Sequence, residues 1–156
     1  MKITLLVVGK TTDIHIENLI QEYQKRLTHY IPFTIQVIPE LKNTKALTTD
    51  QQKQAEGELI LRAITSANDL VLLDEHGKEF RSIEFADYLQ KKMSSGRDLV
   101  FVVGGPYGFS EAVYQRANGK ISLSKMTFSH QMVRLFFVEQ TYRAMTILRG
   151  EPYHHE

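Results

Sequence analysis

The sequence predicts an α/β fold, a mainly parallel sheet flanked by helices, in one domain spanning residues 1–156. Three observations carry that expectation. Short apolar runs alternate with stretches of helical periodicity, and such alternation gives a parallel sheet covered on both faces. Serine opens helical stretches and glycine follows the end of one, where capping chemistry favours each. The fourth apolar run breaks directly into Gly104-Gly105-Pro106-Tyr107-Gly108. Open α/β sheets bind ligands at the carboxyl ends of their strands.

The elements follow in order. Ile3–Val8 is the first strand. The opening has the hydropathy of a short signal peptide, but no small-residue cleavage site follows and β-branched residues suit a strand. The chain therefore reads as cytoplasmic. Residues 14–30 set Ile16, Leu19, Ile20, Tyr23, Leu27 and Tyr30 on one helical face. Phe33–Ile38 is the second strand, and the polar stretch Pro39–Asp50 reads as the most mobile connection. Residues 49–65 repeat the helical spacing with Ala55, Leu59, Ile60 and Ile64. Leu70–Asp74 is the third strand. Ser82 then caps a helix burying Ile83, Ala86, Leu89 and Met93. Leu99–Val103 is the fourth strand, Ser110 caps a short helix, and Ile121–Leu123 is the fifth strand. The last helix runs from His130 to Arg149 and spreads apolar residues, Leu135 and Val138 among them, over more than one face. A surface helix shows a single apolar stripe, so this one is central or shared with a second subunit. A dimer interface is the favoured reading.

Composition removes several function classes. The chain has no cysteine, which excludes disulfides, thiolate metal sites and a cysteine nucleophile. No apolar run approaches the roughly 18–20 residues of a membrane span. Net charge is +1, so the protein is no generic polycation. Residues 1–115 carry 13 Lys/Arg and 15 Asp/Glu, whereas residues 116–156 carry six and three, a net of +3. A basic C-terminal segment suits an anionic partner such as RNA; chance imbalance in a short segment gives the same count.

Two loops concentrate the candidate chemistry. The glycine loop is not a dinucleotide fingerprint, because it follows the fourth strand and no acidic residue stands about 20 positions on. It is not a phosphate-binding P-loop, since no Gly-Lys-Ser/Thr is present. A tight turn before the Ser110 helix explains the glycines equally well. The second loop, Ser124-Lys125-Met126-Thr127-Phe128-Ser129-His130, follows the fifth strand. Ser122-Leu123-Ser124-Lys125 matches Ser-x-x-Lys, but its companion motifs are absent. His154, His155 and Glu156 lack a further ligand at metal-binding spacing, so no metal is expected. Glu139 and Arg143 form an i,i+4 pair, in its plainest reading a helix salt bridge.

Together the motifs are more specific. Gly-Gly-Pro-x-Gly, then Leu-Ser-Lys-Met-Thr-Phe-x-His, then Arg134, Glu139-Gln140, Tyr142-Arg143-Ala144 and Pro152-Tyr153-His154 resemble the RlmH family. These are large-subunit ribosomal RNA pseudouridine N3-methyltransferases of the SPOUT, or α/β-knot, class. The likeness runs the full chain, including Val7-Val8-Gly9-Lys10, Glu56-Gly57, Leu73-Asp74 and Gly77-Lys78. The resemblance implies a C-terminal trefoil knot, a homodimer and S-adenosylmethionine (SAM) as methyl donor. It implies SAM contacts at Leu73, Gly104, Gly105, Gly108, Leu123, Ser124, Lys125, Met126, Thr127 and Phe128. It implies as substrate a pseudouridine in the intersubunit-bridge stem-loop of 23S rRNA, on the assembled ribosome. Two positions depart from the pattern. Ser129 replaces a common proline, which loosens the approach to the last helix, and His155 replaces a common Lys or Arg, which weakens a phosphate contact.

N3 methylation requires loss of the N3 proton, so the reading needs a base or a stabiliser of the anion. His154 or His130 is placed in that role, Arg143 at the base or its phosphate, and Tyr153 as a stacking group. Two rivals remain at this level: a non-catalytic ribosome-binding factor with a relic pocket, and an enzyme using the same pocket on tRNA.

Overall fold

A computed structural model describes residues 1–155. The strands are β1 (Ile3–Val8), β2 (Phe33–Ile38), β3 (Asp69–Glu79), β4 (Leu99–Val103) and β5 (Gly119–Ser122). The helices are α1 (Ile14–Leu27), α2 (Thr49–Arg62), α3 (Ser82–Ser94), α4 (Glu111–Arg116) and α5 (His130–Leu148). The strands form one sheet in the order β2-β1-β4-β3-β5, and every pairing is parallel.

Alternation along the strands gives each face its own core. Ile3, Leu5, Val7, Phe101 and Val103 point toward α1, α3 and α5, where Phe85, Leu89, Phe137 and Val138 meet them. Leu6, Leu70, Leu72, Val100 and Val102 point the other way, under Ile60 of α2 and Val113 of α4. Strands covered on both faces are apolar throughout, which is why they stand out in the sequence.

Several expected boundaries shift. β3 continues to Glu79 through an irregularity between Leu73 and Lys78, and then pairs Lys78 and Glu79 with Ile121 and Ser122 of β5. The close approach runs through Gly77: a Cβ there would lie 2.6 Å from backbone atoms of Ile121. β5 starts at Gly119 and stops at Ser122, so Leu123 belongs to the loop. α1 ends at Leu27, leaving Tyr30 in the following turn, and Leu19 is exposed. α2 ends at Arg62, before Ile64. Ser82 lies inside α3; Arg81 is the cap, and its N–H donates to Glu84 Oε1 at 2.7 Å. Ile83 is exposed, and Phe85 fills the core in its place. The Pro39–Asp50 connection contains a turn of 3-10 helix at Thr44–Ala46 and the capping box of Thr48 and Gln51.

Ser129 corrects the expectation of a loosened approach to α5. It is the N-cap, and its Oγ accepts from the N–H of Met132 at 3.1 Å. Serine is among the favoured capping residues. α5 is also held at this end by Arg134, which is buried and donates to the carbonyls of Val8 and Gly9 and to Thr11 Oγ1. Gln131 accepts from the N–H of Thr12. These bonds pin the start of α5 to the carboxyl end of β1.

Candidate active site

The ends of β4, β3 and β5 open on a cavity of about 520 Å³, within the range of roughly 300–1,000 Å³ that small-molecule sites occupy. β3 stands between β4 and β5 in the sheet. The two loops therefore flank the end of β3, instead of following neighbouring strands. Leu73, Gly104, Gly105, Gly108, Leu123, Ser124, Met126, Thr127 and Phe128 all line the cavity, and so does His130 at the start of α5. Lys125 does not: its side chain is 88% exposed and its Nζ lies 3.9 Å from Glu79.

The glycines serve a purpose that the sequence concealed. A Cβ on Gly105 would lie 2.3 Å from Glu56 Oε1, and one on Gly104 would lie 3.1 Å from the Phe109 ring. Neither Cβ would point into free space. α2 and Phe109 press on the loop from behind, so the backbone itself forms the cavity wall. Gly108 closes the turn at φ +83°, a region open to glycine at no steric cost.

Sequence reasoning missed part of the lining. Asp74, Glu75 and Tyr114 border the cavity, as does Lys53 of α2. Asp74 accepts from the Tyr114 hydroxyl and from the N–H of His76. Burial and that bond push the Tyr114 hydroxyl well above its usual range. The position of Asp74 at the end of an apolar strand was the available signal; nothing in the sequence marks Lys53. The wall thus joins apolar surface, exposed backbone and carboxylates. This suits a molecule with a flat heterocycle, hydroxyls and positive charge, and SAM has all three.

The other expected catalytic groups lie elsewhere. Arg143 donates to Glu139 Oε1 through Nε at 3.0 Å and through Nη2 at 2.6 Å. Its Nη1 lies 3.1 Å from His154 Nδ1. A guanidinium can only donate, so Nδ1 accepts and the ring carries its proton on Nε2. The Arg143 guanidinium also lies over the Tyr153 ring, 4.7 Å from its centroid. The Tyr153 hydroxyl lies 3.2 Å from Glu139 Oε1 and 3.2 Å from the Tyr23 hydroxyl. Burial, first, and these bonds raise the Tyr153 hydroxyl far above its usual range. The hydrogen bond to Glu139 raises Arg143 further, which fixes its charge. Tyr153 is thus packed against α1 and α5, and His154 against α5. His155 is exposed, and Glu156 lies outside the described residues.

One chain therefore holds two separated clusters. The cavity meets α5 at His130 and Val133; the Arg143 cluster meets it at Glu139 to Arg143. At 1.5 Å per residue, the cluster begins about 9 Å beyond Val133 and reaches about 15 Å along the helix. None of Arg143, Tyr153 and His154 lines the cavity. A second cavity of about 270 Å³ lies beside the first, bounded by Phe80, Phe85, Phe128, Phe136 and Gln140. Among the described residues, no three His, Asp or Glu side chains gather as a metal site. Among the described residues, no helix is long and apolar enough to cross a membrane.

A five-stranded parallel sheet with a ligand cavity framed by the loops after β4 and β5 is the arrangement of a SPOUT-class methyltransferase. The family model described as predicted SPOUT methyltransferase matches residues 1–154, and the chain belongs to that family. Among curated proteins it is 65% identical to the ribosomal RNA large subunit methyltransferase H of Bacteroides thetaiotaomicron, with both chains covered in full. The protein of that name from Parabacteroides distasonis is 64% identical and that from Phocaeicola vulgatus 60% identical, again over the full length of each.

Proposed function

We propose that this protein transfers a methyl group from SAM to N3 of a pseudouridine in the intersubunit-bridge stem-loop of 23S rRNA, in the cytoplasm and on the assembled ribosome. The observation that carries the reading is the pairing, on one helix, of a cavity suited to SAM with a fixed cation beside a tyrosine and a histidine. The names of the relatives, which cover the whole chain, supply the substrate class.

SAM would be held by the backbone of Gly104 and Gly105, the loop from Leu123 to Phe128, and Leu73. When bound, it supplies an electrophilic methyl whose leaving group is a neutral thioether. The protein must position a base and manage one proton. Arg143, held by Glu139, stabilises the anion formed when N3 loses its proton. His154 presents its Nε2 proton to a carbonyl acceptor, and it can take a proton on Nδ1 only by giving up the bond to Arg143. Tyr153 offers an aromatic face to the base. His130, on the cavity wall, is the alternative proton acceptor.

The reading includes a homodimer, and the separation of the two clusters supports it. A second copy whose α5 runs antiparallel would bring its Arg143, Tyr153 and His154 to the cavity of the first. Phe136, a large apolar residue left exposed on α5, supports that face as the contact. The reading includes the trefoil knot that the family resemblance implies.

The test is transfer of labelled methyl from SAM to purified ribosomes, followed by mass mapping of the rRNA. The reading expects one N3-methylated pseudouridine in the bridge stem-loop. Label in tRNA alone would favour the rival substrate. No transfer, with SAM still bound, would favour the non-catalytic factor.

A further inference from the structure

Glu56 is the one buried carboxylate that the mechanism leaves unused at the cavity. It is 4% exposed and lies on α2, behind the glycine loop. Among the described residues its Oε1 has no hydrogen-bond partner, and its Oε2 accepts only a 3.3 Å bond from Gln52. Oε1 sits so close to Gly105 that a Cβ there would meet it at 2.3 Å. Gly105 lines the cavity on its other side. Only the thickness of a glycine backbone separates this carboxyl from whatever fills the cavity, and glycine leaves no side chain between them.

A buried carboxylate with an unmatched oxygen is costly unless a positive charge lies near it or it keeps its proton. The groups facing Glu56 do not supply a firm counter-charge. Burial raises its pKa; His130 of α5 opposes that rise, and Glu40 from the loop after β2 adds to it. Gln52 is neutral, and Lys53 on the same helix lines the cavity. The missing cation is thus the kind of ligand the cavity is read to take, and this inference rests on that reading. We infer that Glu56 is the counter-charge for the sulfonium of the methyl donor, acting across the Gly104-Gly105 turn, and that it sets the preference of the cavity for the donor over its demethylated product.

The two ligands differ by one methyl and one positive charge. With the cation present, Glu56 gives its proton to water and the two opposite charges face each other through the loop. With the neutral thioether present, Glu56 regains a proton and that attraction is gone. The donor is retained and the product is released. Glu56 touches neither ligand, so it is a positioning residue that works by charge.

The experiment is isothermal titration calorimetry of SAM and of S-adenosylhomocysteine with wild type and Glu56→Gln. A charge across one backbone layer changes affinity about tenfold or more. Glu56→Gln is expected to weaken SAM by that factor and to leave the demethylated product within about twofold. An unchanged ratio of the two affinities overturns the inference. So does equal weakening of both, which marks Glu56 as a mere prop for the loop. Proton counting on wild type needs no folded variant. Across about pH 5–8, titration in buffers of different ionisation enthalpy should show more proton release with SAM than with the product. Equal proton counts overturn the inference while leaving the cavity assignment intact. A wild type that binds neither ligand overturns both.

Discussion

Gly77 carries the hardest steric constraint in the chain. Any side chain there meets the backbone of Ile121, which cannot move aside as a flexible side chain would. Gly77→Ala is expected to destabilise the fold by about 1–3 kcal/mol, the usual scale of overpacking. A thermal melt should show the loss, and calorimetry should show weakened SAM binding, since the pairing of β3 with β5 sets Leu73 opposite Ile121, two residues before the β5 loop. At the tail, His154→Ala is expected to lower methyl transfer to ribosomes by roughly 10²-fold. SAM affinity should change little, because His154 lies off the cavity; a large affinity change in calorimetry would put the ring in the cofactor site. Glu56 also predicts a pH dependence of stability. Its pKa is raised in the folded state above the ordinary 4.5, so the folded form binds more protons between those two values. Stability linked to Glu56 is therefore full below about pH 4.5 and falls as pH rises through the folded pKa. Denaturant melts should show the wild type losing ground to Glu56→Gln over that window. A constant difference between the two at every pH would refute it. Residue roles were the least legible part of the sequence. Gly104 and Gly105 looked like room for a ligand, yet the space they spare belongs to Phe109 and Glu56. Ser129 looked like a defect and is a cap.

α5 shows how much an element's periodicity says and what it omits. Its broad apolar character was plain in the sequence, and a shared interface was one of two explanations. Much of that surface is buried within the chain itself: Phe137 and Val138 are fully buried, and Leu135 is nearly so. The helix packs between α1, α3 and the sheet, so charges at Leu135 or Val138 would disrupt the core before they reached a partner. Phe136 is the residue that remains outward, at 37% exposure. Val138→Asp is expected to unfold the protein, with a loss of about 3 kcal/mol or more for an unpaired buried charge. Phe136→Glu is expected to leave the melting temperature of the monomer nearly unchanged and to weaken the dimer. Sedimentation at micromolar concentration checks this: a dimer that persists unaltered in Phe136→Glu would move the interface off this face. The strands were easier to read than the helix contacts, since burial on both faces leaves a continuous apolar run. The extension of β3 past Asp74 was not legible, because Glu75, His76, Gly77 and Lys78 carry no strand pattern, and the strand is resumed only where Lys78 and Glu79 pair with β5.

At the scale of the whole molecule, the sequence located the loops that line the cavity but not their distance from the tail. The parallel sheet and its layers followed from the alternation of elements, and the cavity lies where strand ends predict it. That the Arg143, Tyr153 and His154 cluster sits some 9–15 Å along α5 from that cavity could not be read from spacing, because a tail can fold back along either side of a helix. The separation makes the central claim of the account a claim about two copies: one active site takes its cavity from one chain and its Arg143 cluster from another. Mixed dimers test it directly. Thr127→Trp fills the cavity from its exposed rim, and Arg143→Ala removes the cation; each alone should be inactive on ribosomes. Co-expression of the two gives mixed dimers in which one of the two composite sites is intact. Methyl transfer should then recover to roughly a quarter of wild type for random pairing. Recovery of that size is the predicted result, and mixed dimers as inactive as either parent would contradict the account.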